Sequence, residues 1–285
     1  MTSPDLGIAA RVRSRVMWRL MPYLVVLYVI AYLDRVNVSY AALEMTADLG
    51  FSAETYGLGA GIFFVGYFLL EVPGAVFAQR WGVRRLVCRI MVSWGVLAML
   101  MGFIQNAAQF YWLRFLIGAA EAGFFPAMIV YLGQWFRAVD RGKAVAWFMS
   151  AISLAMVIGG PVSGALLKLD WLGLEGWRWL FILEGLPAVV LGVSVLFFLT
   201  EKPQDAKWLP EDEKAWLVAE LDRERLAREA MQARKPTVWQ ALHDPRVLLF
   251  SAAYFFGLIA SNGLGYWLPT MIQSLLELPD IGARD

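Results

Sequence analysis

Six ionisable side chains lie inside long apolar stretches of the 285-residue sequence. They are Asp34, Arg35, Glu71, Arg114, Glu121 and Glu184. A charged group in a hydrocarbon layer is costly unless it is paired or hydrated, so it indicates a functional site by default. We therefore expect the chemistry of this chain to involve these six residues.

Two of the apolar stretches each contain one acid and one arginine. Asp34 and Arg35 are adjacent, whereas Arg114 and Glu121 share a helix face and lie about 10 Å apart along its axis. The four charges sum to zero, which favours a polar cavity between the two helices. Two structural ion pairs are the alternative, although apolar packing would join the helices at a smaller desolvation cost.

These residue types suit the binding of an anion together with a proton. A guanidinium presents a planar pair of donors to a carboxylate. Burial favours the protonated form of a carboxyl group, and a nearby arginine favours the ionised form. A substrate anion that engages the arginine would release the acid, so proton and anion would bind cooperatively. Tyr32, Asn37 and Tyr67 can donate hydrogen bonds into the same cavity, with ordinary helix contacts as the alternative.

The two remaining acids are assigned differently. Glu71 precedes Pro73 near the predicted cytoplasmic end of its helix, which favours gating or interface pairing. Glu184 lies about two turns from the predicted outer end of its helix, and structural and coupling roles both stay open.

The composition identifies the elements that position these residues as membrane helices. Hydrophobic residues make up 59% of the chain, charged residues 17%, and the mean hydropathy is +0.56. This composition excludes a disordered chain, a coiled coil and a nucleic-acid-binding module. One cysteine, Cys88, and one histidine, His243, leave no disulfide framework, no zinc site of the cysteine type and little material for catalysis. We expect no enzyme, no metal and no cofactor except protons as the coupling ion.

Seven apolar runs are long enough to cross a bilayer. They cover residues 18–40, 55–78, 87–106, 109–133, 144–168, 178–200 and 247–272. The predicted organisation is an N-terminal segment (1–17), a six-helix bundle (18–200), a linker with an amphipathic helix (201–246), a seventh transmembrane helix (247–272) and a tail (273–285).

The distribution of basic residues predicts the orientation. Four arginines (Arg11, Arg13, Arg15 and Arg19) lie before or at the start of the first helix. The loop after that helix carries only acids, namely Glu44, Asp48 and Glu54. Basic loops then alternate with acidic or neutral ones along the chain. This pattern places the N-terminus and the linker in the cytoplasm, and the tail outside the inner (plasma) membrane. A seven-helix receptor usually has the reverse topology, although a seven-helix sensor remains an alternative.

Two sets of motifs resemble a known family. Residues 74–85 (GAVFAQRWGVRR) are similar to a loop signature of the major facilitator superfamily, with Gln79 where the signature has its acid. The matching residues, assigned gating or structural roles, are Arg80, Gly82, Arg84 and Arg85. Residues 32–43 (YLDRVNVSYAAL), 113–136 (LRFLIGAAEAGFFPAMIVYLGQWF) and 176–192 (GWRWLFILEGLPAVVLG) resemble the anion:cation symporters, and among them the tartrate-transporter-like members.

The resemblance implies proton-coupled uptake of a small organic anion by alternating access. It assigns proton coupling to Asp34 and Glu121. It assigns recognition of the substrate carboxylate to Arg35, with Arg114, Tyr32 and Tyr67 in the pocket.

The resemblance also implies a fold: an all-α membrane protein. The chain would form the six-helix N-terminal half of a major facilitator fold, a cytoplasmic linker helix and a seventh transmembrane helix. Substrate sites in such carriers lie between two six-helix halves, so a missing C-terminal half would be a partner, beside the organic anion and the lipid bilayer. A membrane fragment without transport of its own, or a structural half, is the alternative.

The predicted topology can be tested at the C-terminus. A reporter fused after the seventh helix should be active on the outer side of the membrane, because seven spans invert a cytoplasmic start. Paired alkaline phosphatase and green fluorescent protein fusions measure this. A fluorescent, phosphatase-inactive fusion would contradict the seven-span arrangement.

Overall fold

The computed structural model describes residues 3–231 and 243–276, and these residues are almost entirely helical. The helices are α1 (Ser3–Asp48), α2 (Ala53–Trp81), α3 (Val83–Met101), α4 (Ala107–Glu121), α5 (Phe124–Trp135), α6 (Ala138–Leu167), α7 (Gly176–Phe198), α8 (Glu211–Met231) and α9 (Pro245–Leu276). Extended pairing in the described part of the chain is limited to one isolated bridge, between Trp171 and Leu174. The predicted all-α class is confirmed.

Six helical stretches are long and apolar enough to cross a membrane. They are Gly7–Asp48, Ala53–Gly74, Ala107–Trp135, Ala138–Leu167, Gly176–Phe198 and Pro245–Leu275. The predicted span at 87–106 corresponds to α3, which is outside this set. Its first two turns carry Arg84, Arg85 and Arg89, so every 18-residue stretch of this 19-residue helix contains three charged residues.

The predicted span at 109–133 is two helices with a break between them. α4 ends at Glu121, and α5 begins at Phe124. Gly123 has a φ of +89°, and a Cβ atom there would lie 2.8 Å from the Cα of Gly74 in α2. The break therefore needs a residue without a side chain, and it leaves Glu121 at the very end of α4.

α2 and α4 pack with their backbones in contact. A Cβ atom on Gly118 would lie 2.0 Å from the carbonyl oxygen of Phe63, and one on Gly66 would lie 2.2 Å from that of Phe115. Small residues allow this approach between membrane helices. It places the aromatic face of α2 beside the charged residues of α4.

The chain divides into two compact units, Met1–Glu224 and Arg225–Asp285. In the first unit, α1 packs against α6 and α7, and α3 packs against α7. α8 begins within this unit, where the buried Glu213 lies 3.7 Å from Arg11 and 3.5 Å from Arg15 of α1. The second unit contains α9, a single long apolar helix.

Replacing Gly118 by alanine should destabilise the bundle. The added methyl group has no space at 2.0 Å from backbone, so α2 and α4 must separate, at a cost of about 1–3 kcal/mol or more. The thermal unfolding midpoint of the purified protein measures this loss.

Gly61→Ala is the matched control, because nothing lies within 4 Å of a Cβ atom at this position of α2. A helical alanine there should stabilise the protein by about 0.5–1 kcal/mol. Equal midpoints for the two variants would contradict the close packing of α2 on α4.

Candidate functional site

The two adjacent charges of α1 point in different directions. Consecutive residues of an α-helix are rotated by about 100°, so one helix face cannot hold both side chains. Asp34 is buried at 7% exposure, whereas the side chain of Arg35 is 23% exposed. The two residues therefore belong to different polar groups.

Arg35 forms an ion pair with Glu121 across the helix interface. Its Nη2 atom donates a hydrogen bond to Oε1 of Glu121, the last residue of α4. The Glu121 side chain is 5% exposed, so the acid is shielded, while part of the Arg35 side chain remains accessible. Because α4 stops at this residue, the carboxylate can reach α1 without a further helical turn in the way.

Aromatic rings of α2 line the same site. The Arg35 guanidinium lies 5.8 Å from the ring centre of Phe63 and 5.3 Å from that of Tyr67. The Arg114 guanidinium lies 4.7 Å from the ring centre of Phe63. The negative faces of these rings favour cations, so Phe63 contacts two like charges that would otherwise repel each other.

Arg114 is held by few hydrogen bonds for a buried arginine. It is 2% exposed, and its Nε atom donates to the carbonyl oxygen of Gly59 at 3.3 Å. Its buried Nη2 atom has no hydrogen-bond partner within the described ranges. An unused donor beside the Arg35–Glu121 pair could bind a carboxylate oxygen.

Asp34 lies in a separate polar group. The indole nitrogen of Trp94 in α3 donates to its Oδ2 atom, and Asn37 Nδ2 donates to its Oδ1 atom at 2.9 Å. Nothing in the described part of the chain forms an ion pair with Asp34. It interacts electrostatically with Arg114 and Glu121 without touching them. Instead of four converging charges, the structure has an Arg35–Glu121 pair, with Arg114 on the same Phe63 ring as Arg35, and Asp34 in a separate polar group.

Glu184 extends the Asp34 group. Ser163 of α6 donates to its Oε1 atom at 2.9 Å, and the Asn37 amide also faces its carboxyl group. Glu184 is 6% exposed.

Tyr32 and Glu71 were also predicted to belong to the site, and they interact with different groups. Tyr32 packs edge-on against Tyr28, with ring centres 6.4 Å apart. Glu71 is partly buried one turn beyond Tyr67 and interacts electrostatically with Arg35. Glu71 therefore belongs to the surroundings of the Arg35 site.

The signature loop is a tight junction between α2 and α3. Gly82 has a φ of +84°, a conformation that favours glycine. The backbone N–H groups of Val83 and Arg84 donate to the carboxylate of Glu201, at 2.6 and 3.1 Å. An acid at a helix N-terminus is favourable, so Glu201 stabilises the start of α3. Arg85 is exposed, and the side chain of Arg80 lies outside the described residues.

Sequence reasoning missed Trp94, Phe63 and Glu201 as parts of these sites. Trp94 is 1% exposed in the middle of α3, far from the span ends where tryptophan is common. A tryptophan in the middle of a predicted span is the signal in the sequence that could have identified Trp94.

The fold and the buried charges together define a multi-pass membrane protein with a polar site inside its helical bundle. The sequence model of the Major Facilitator Superfamily matches residues 24–283. The chain belongs to this superfamily.

Comparisons with individual proteins agree with this assignment, because the similar proteins are named as transporters. A relative from Agrobacterium vitis named “Putative tartrate transporter” is 46% identical over 267 residues, which cover 93% of this chain and 59% of the relative. The “Quinolone resistance transporter” of Acinetobacter baumannii is 43% identical over 259 residues, 90% of this chain and 59% of the relative. This chain therefore spans less than two thirds of the length of these relatives.

A solved structure shows the same fold. The inward-open xylose transporter XylE from E. coli superposes with a TM-score of 0.66 at 16% identity, covering 91% of this chain and 65% of that one. At this identity the similarity concerns the fold alone. The relatives are transporters, so at the level of the family the chain is not an enzyme.

Removing the indole donor from Asp34 should destabilise the bundle. In Trp94→Phe the buried Oδ2 atom loses its hydrogen bond, which costs about 1–3 kcal/mol. The free energy of unfolding in detergent measures this change. Trp112→Phe in α4, where the side chain is 67% exposed, is the control and should stay close to wild type. Equal losses in both variants would mean that the indole bond contributes nothing specific.

Proposed function

We propose that this chain is the substrate-recognising part of a carrier that takes up a small organic anion together with protons. The observation that supports this most strongly is the Arg35–Glu121 ion pair, in which the acid is shielded and the arginine is partly accessible. An incoming anion can reach Arg35 while it is still bound to Glu121.

The pair provides a mechanism for coupling. A substrate carboxylate that binds Arg35 competes with Glu121 for the same donors. Glu121 then loses its counter-charge in a buried place, where the neutral form of a carboxyl group is favoured. It takes up a proton, and the proton and the anion become bound together. When the anion leaves, Arg35 re-forms its pair and Glu121 releases the proton.

The neighbouring residues have supporting roles in this proposal. Arg114 offers its unused Nη2 donor as a second contact for the substrate. Tyr67 lies beside Arg35 and can donate its hydroxyl to a substrate oxygen, and Tyr32 is a pocket candidate. Asp34 acts as the second proton-binding acid, with Asn37 fixing its carboxyl group.

Alternating access would use the inverted repeats of the fold. In such halves, the first and fourth membrane helices are equivalent elements of two three-helix repeats. Here α1 and α4 meet at the Arg35–Glu121 pair, and the helix break at Gly123 follows directly. A pair that opens and closes at this point would link substrate binding to movement of one repeat against the other.

The proposed substrate is a tartrate-like carboxylate, imported across the inner membrane with the N-terminus in the cytoplasm. The name of the Agrobacterium vitis relative and the guanidinium groups of the site support this class. The second six-helix half of the carrier is a proposed partner. A substrate screen in proteoliposomes should begin with tartrate and include a quinolone, because another relative is named for quinolone resistance.

Substitution of Glu121 should separate binding from coupling. In the full-length carrier, Glu121→Gln should still bind tartrate but lose accumulation driven by a proton gradient, because a glutamine cannot exchange a proton. Uptake of labelled tartrate with and without an inward proton gradient measures this. Glu54→Gln, an exposed acid at the start of α2, is the control. Gradient-driven uptake at the wild-type level in Glu121→Gln would contradict the coupling role.

Substitution of Arg35 should remove binding itself. Arg35→Ala should weaken tartrate binding by about 2–5 kcal/mol, since a buried charge loses its partner. Calorimetric titration measures the affinity, with the exposed Arg85→Ala as control. Wild-type affinity in Arg35→Ala would exclude Arg35 from the site.

A further inference from the structure

We propose that Asp34, Asn37 and Glu184 form a second, shared proton site, in which the two carboxyl groups hold one proton between them. This inference rests on the proposed function, because it adds a proton-binding group to the same carrier. The site lies between α1 and α7 and has no part in binding the substrate anion.

The carboxyl group of Glu184 is buried and incompletely bonded. Its Oε1 atom accepts a hydrogen bond from Ser163 at 2.9 Å. Its Oε2 atom is buried and has no hydrogen-bond partner in residues 3–231 and 243–276. Nor does any arginine or lysine in these ranges lie within 4.0 Å of this carboxyl group. A carboxylate without a counter-charge in such a place is strongly disfavoured, so Glu184 carries a proton.

Asn37 connects this group to Asp34. Its Nδ2 atom donates to Oδ1 of Asp34 at 2.9 Å, and the same amide faces Glu184. An amide nitrogen has two hydrogens, so it can serve two carboxyl groups at once. Asp34 and Glu184 also interact electrostatically with each other. Two carboxyl groups around one amide cannot both ionise easily, so they titrate as a pair that retains a proton.

The surroundings of the pair leave it without a direct counter-charge. α1 contributes the phenol of Tyr40, which interacts electrostatically with Glu184. α4 contributes Arg114 and Glu121, which act on Asp34 from a distance and have opposite signs. The groups from α3 and α6 are the neutral donors Trp94 and Ser163.

The shared proton changes how Asp34 can act. With Glu184 protonated and Asp34 ionised, the pair carries one negative charge, and its charge would be the same with the proton on Asp34 instead. Glu184 lies about two turns from the start of α7 at Gly176. It is thus placed to store a proton beside Asp34 while Arg35 and Glu121 exchange substrate on the other face of α1.

Infrared spectroscopy of the purified protein in lipid nanodiscs tests this site without any substrate. At neutral pH, Glu184→Gln should lose one carbonyl band of a protonated carboxyl group. Asp34→Asn should keep that band but shift its frequency, because the Asn37 amide loses its carboxylate acceptor. Glu54→Gln, which removes an exposed acid, should leave the carbonyl band of the protonated carboxyl group unchanged. A Glu184→Gln spectrum identical to wild type would overturn the proposal, as would a band that Asp34→Asn leaves unmoved.

A second variant keeps the test decisive if Glu184→Gln does not fold. Ser163→Ala removes the hydroxyl that donates to Glu184 and should shift the same band without removing it. An unshifted band would overturn the assignment to Glu184. Failure of this test would leave tartrate binding by Arg35 and coupling by Glu121 untouched, since those are measured by calorimetry and uptake.

Discussion

The ion pair between Arg35 and Glu121 is the interaction on which the arrangement of the site depends. It joins α1 to the last residue of α4, and the helix is interrupted immediately afterwards at Gly123 before α5 begins at Phe124. An acid in the middle of a continuous helix would be flanked by further turns on both sides. The break therefore determines how closely a carboxylate of α4 can approach α1, and the glycine contacts with α2 make the break possible.

The unequal exposure of the Arg35 and Glu121 side chains determines whether an anion can replace the acid in the ion pair. A fully buried pair would be a structural link, and breaking it would cost several kcal/mol with nothing to replace it. Here the Arg35 side chain is 23% exposed, while the Glu121 side chain is 5% exposed. Phe63 contacts both Arg35 and Arg114, so two cations remain near each other when the acid is neutralised. The site can thus accept an anion in exchange for the negative charge of Glu121.

The sequence predicted the helices well because long apolar runs have few alternatives. Arg35, Glu121 and Arg114 stood out because each is a charge inside such a run, and the structure brings Arg35 and Glu121 into contact. The sequence could not show which helices Asp34 and Arg35 contact, because that depends on how α1 is rotated against its neighbours. Trp94 and Phe63 were missed since aromatic residues are frequent throughout a membrane protein, and Glu201 was missed because its contact is made across more than 100 residues.

The rotation of α1 has a consequence for coupling. Because Asp34 and Arg35 are consecutive, any movement of this turn of α1 displaces both, although they contact different helices. Arg35 contacts α2 and α4, whereas Asp34 contacts α3 and reaches α7 through Asn37. A shift that weakens one set of contacts must alter the other. In the proposed carrier, one helical turn therefore links anion binding on one face of α1 to proton occupancy on the other, without a separate relay between them.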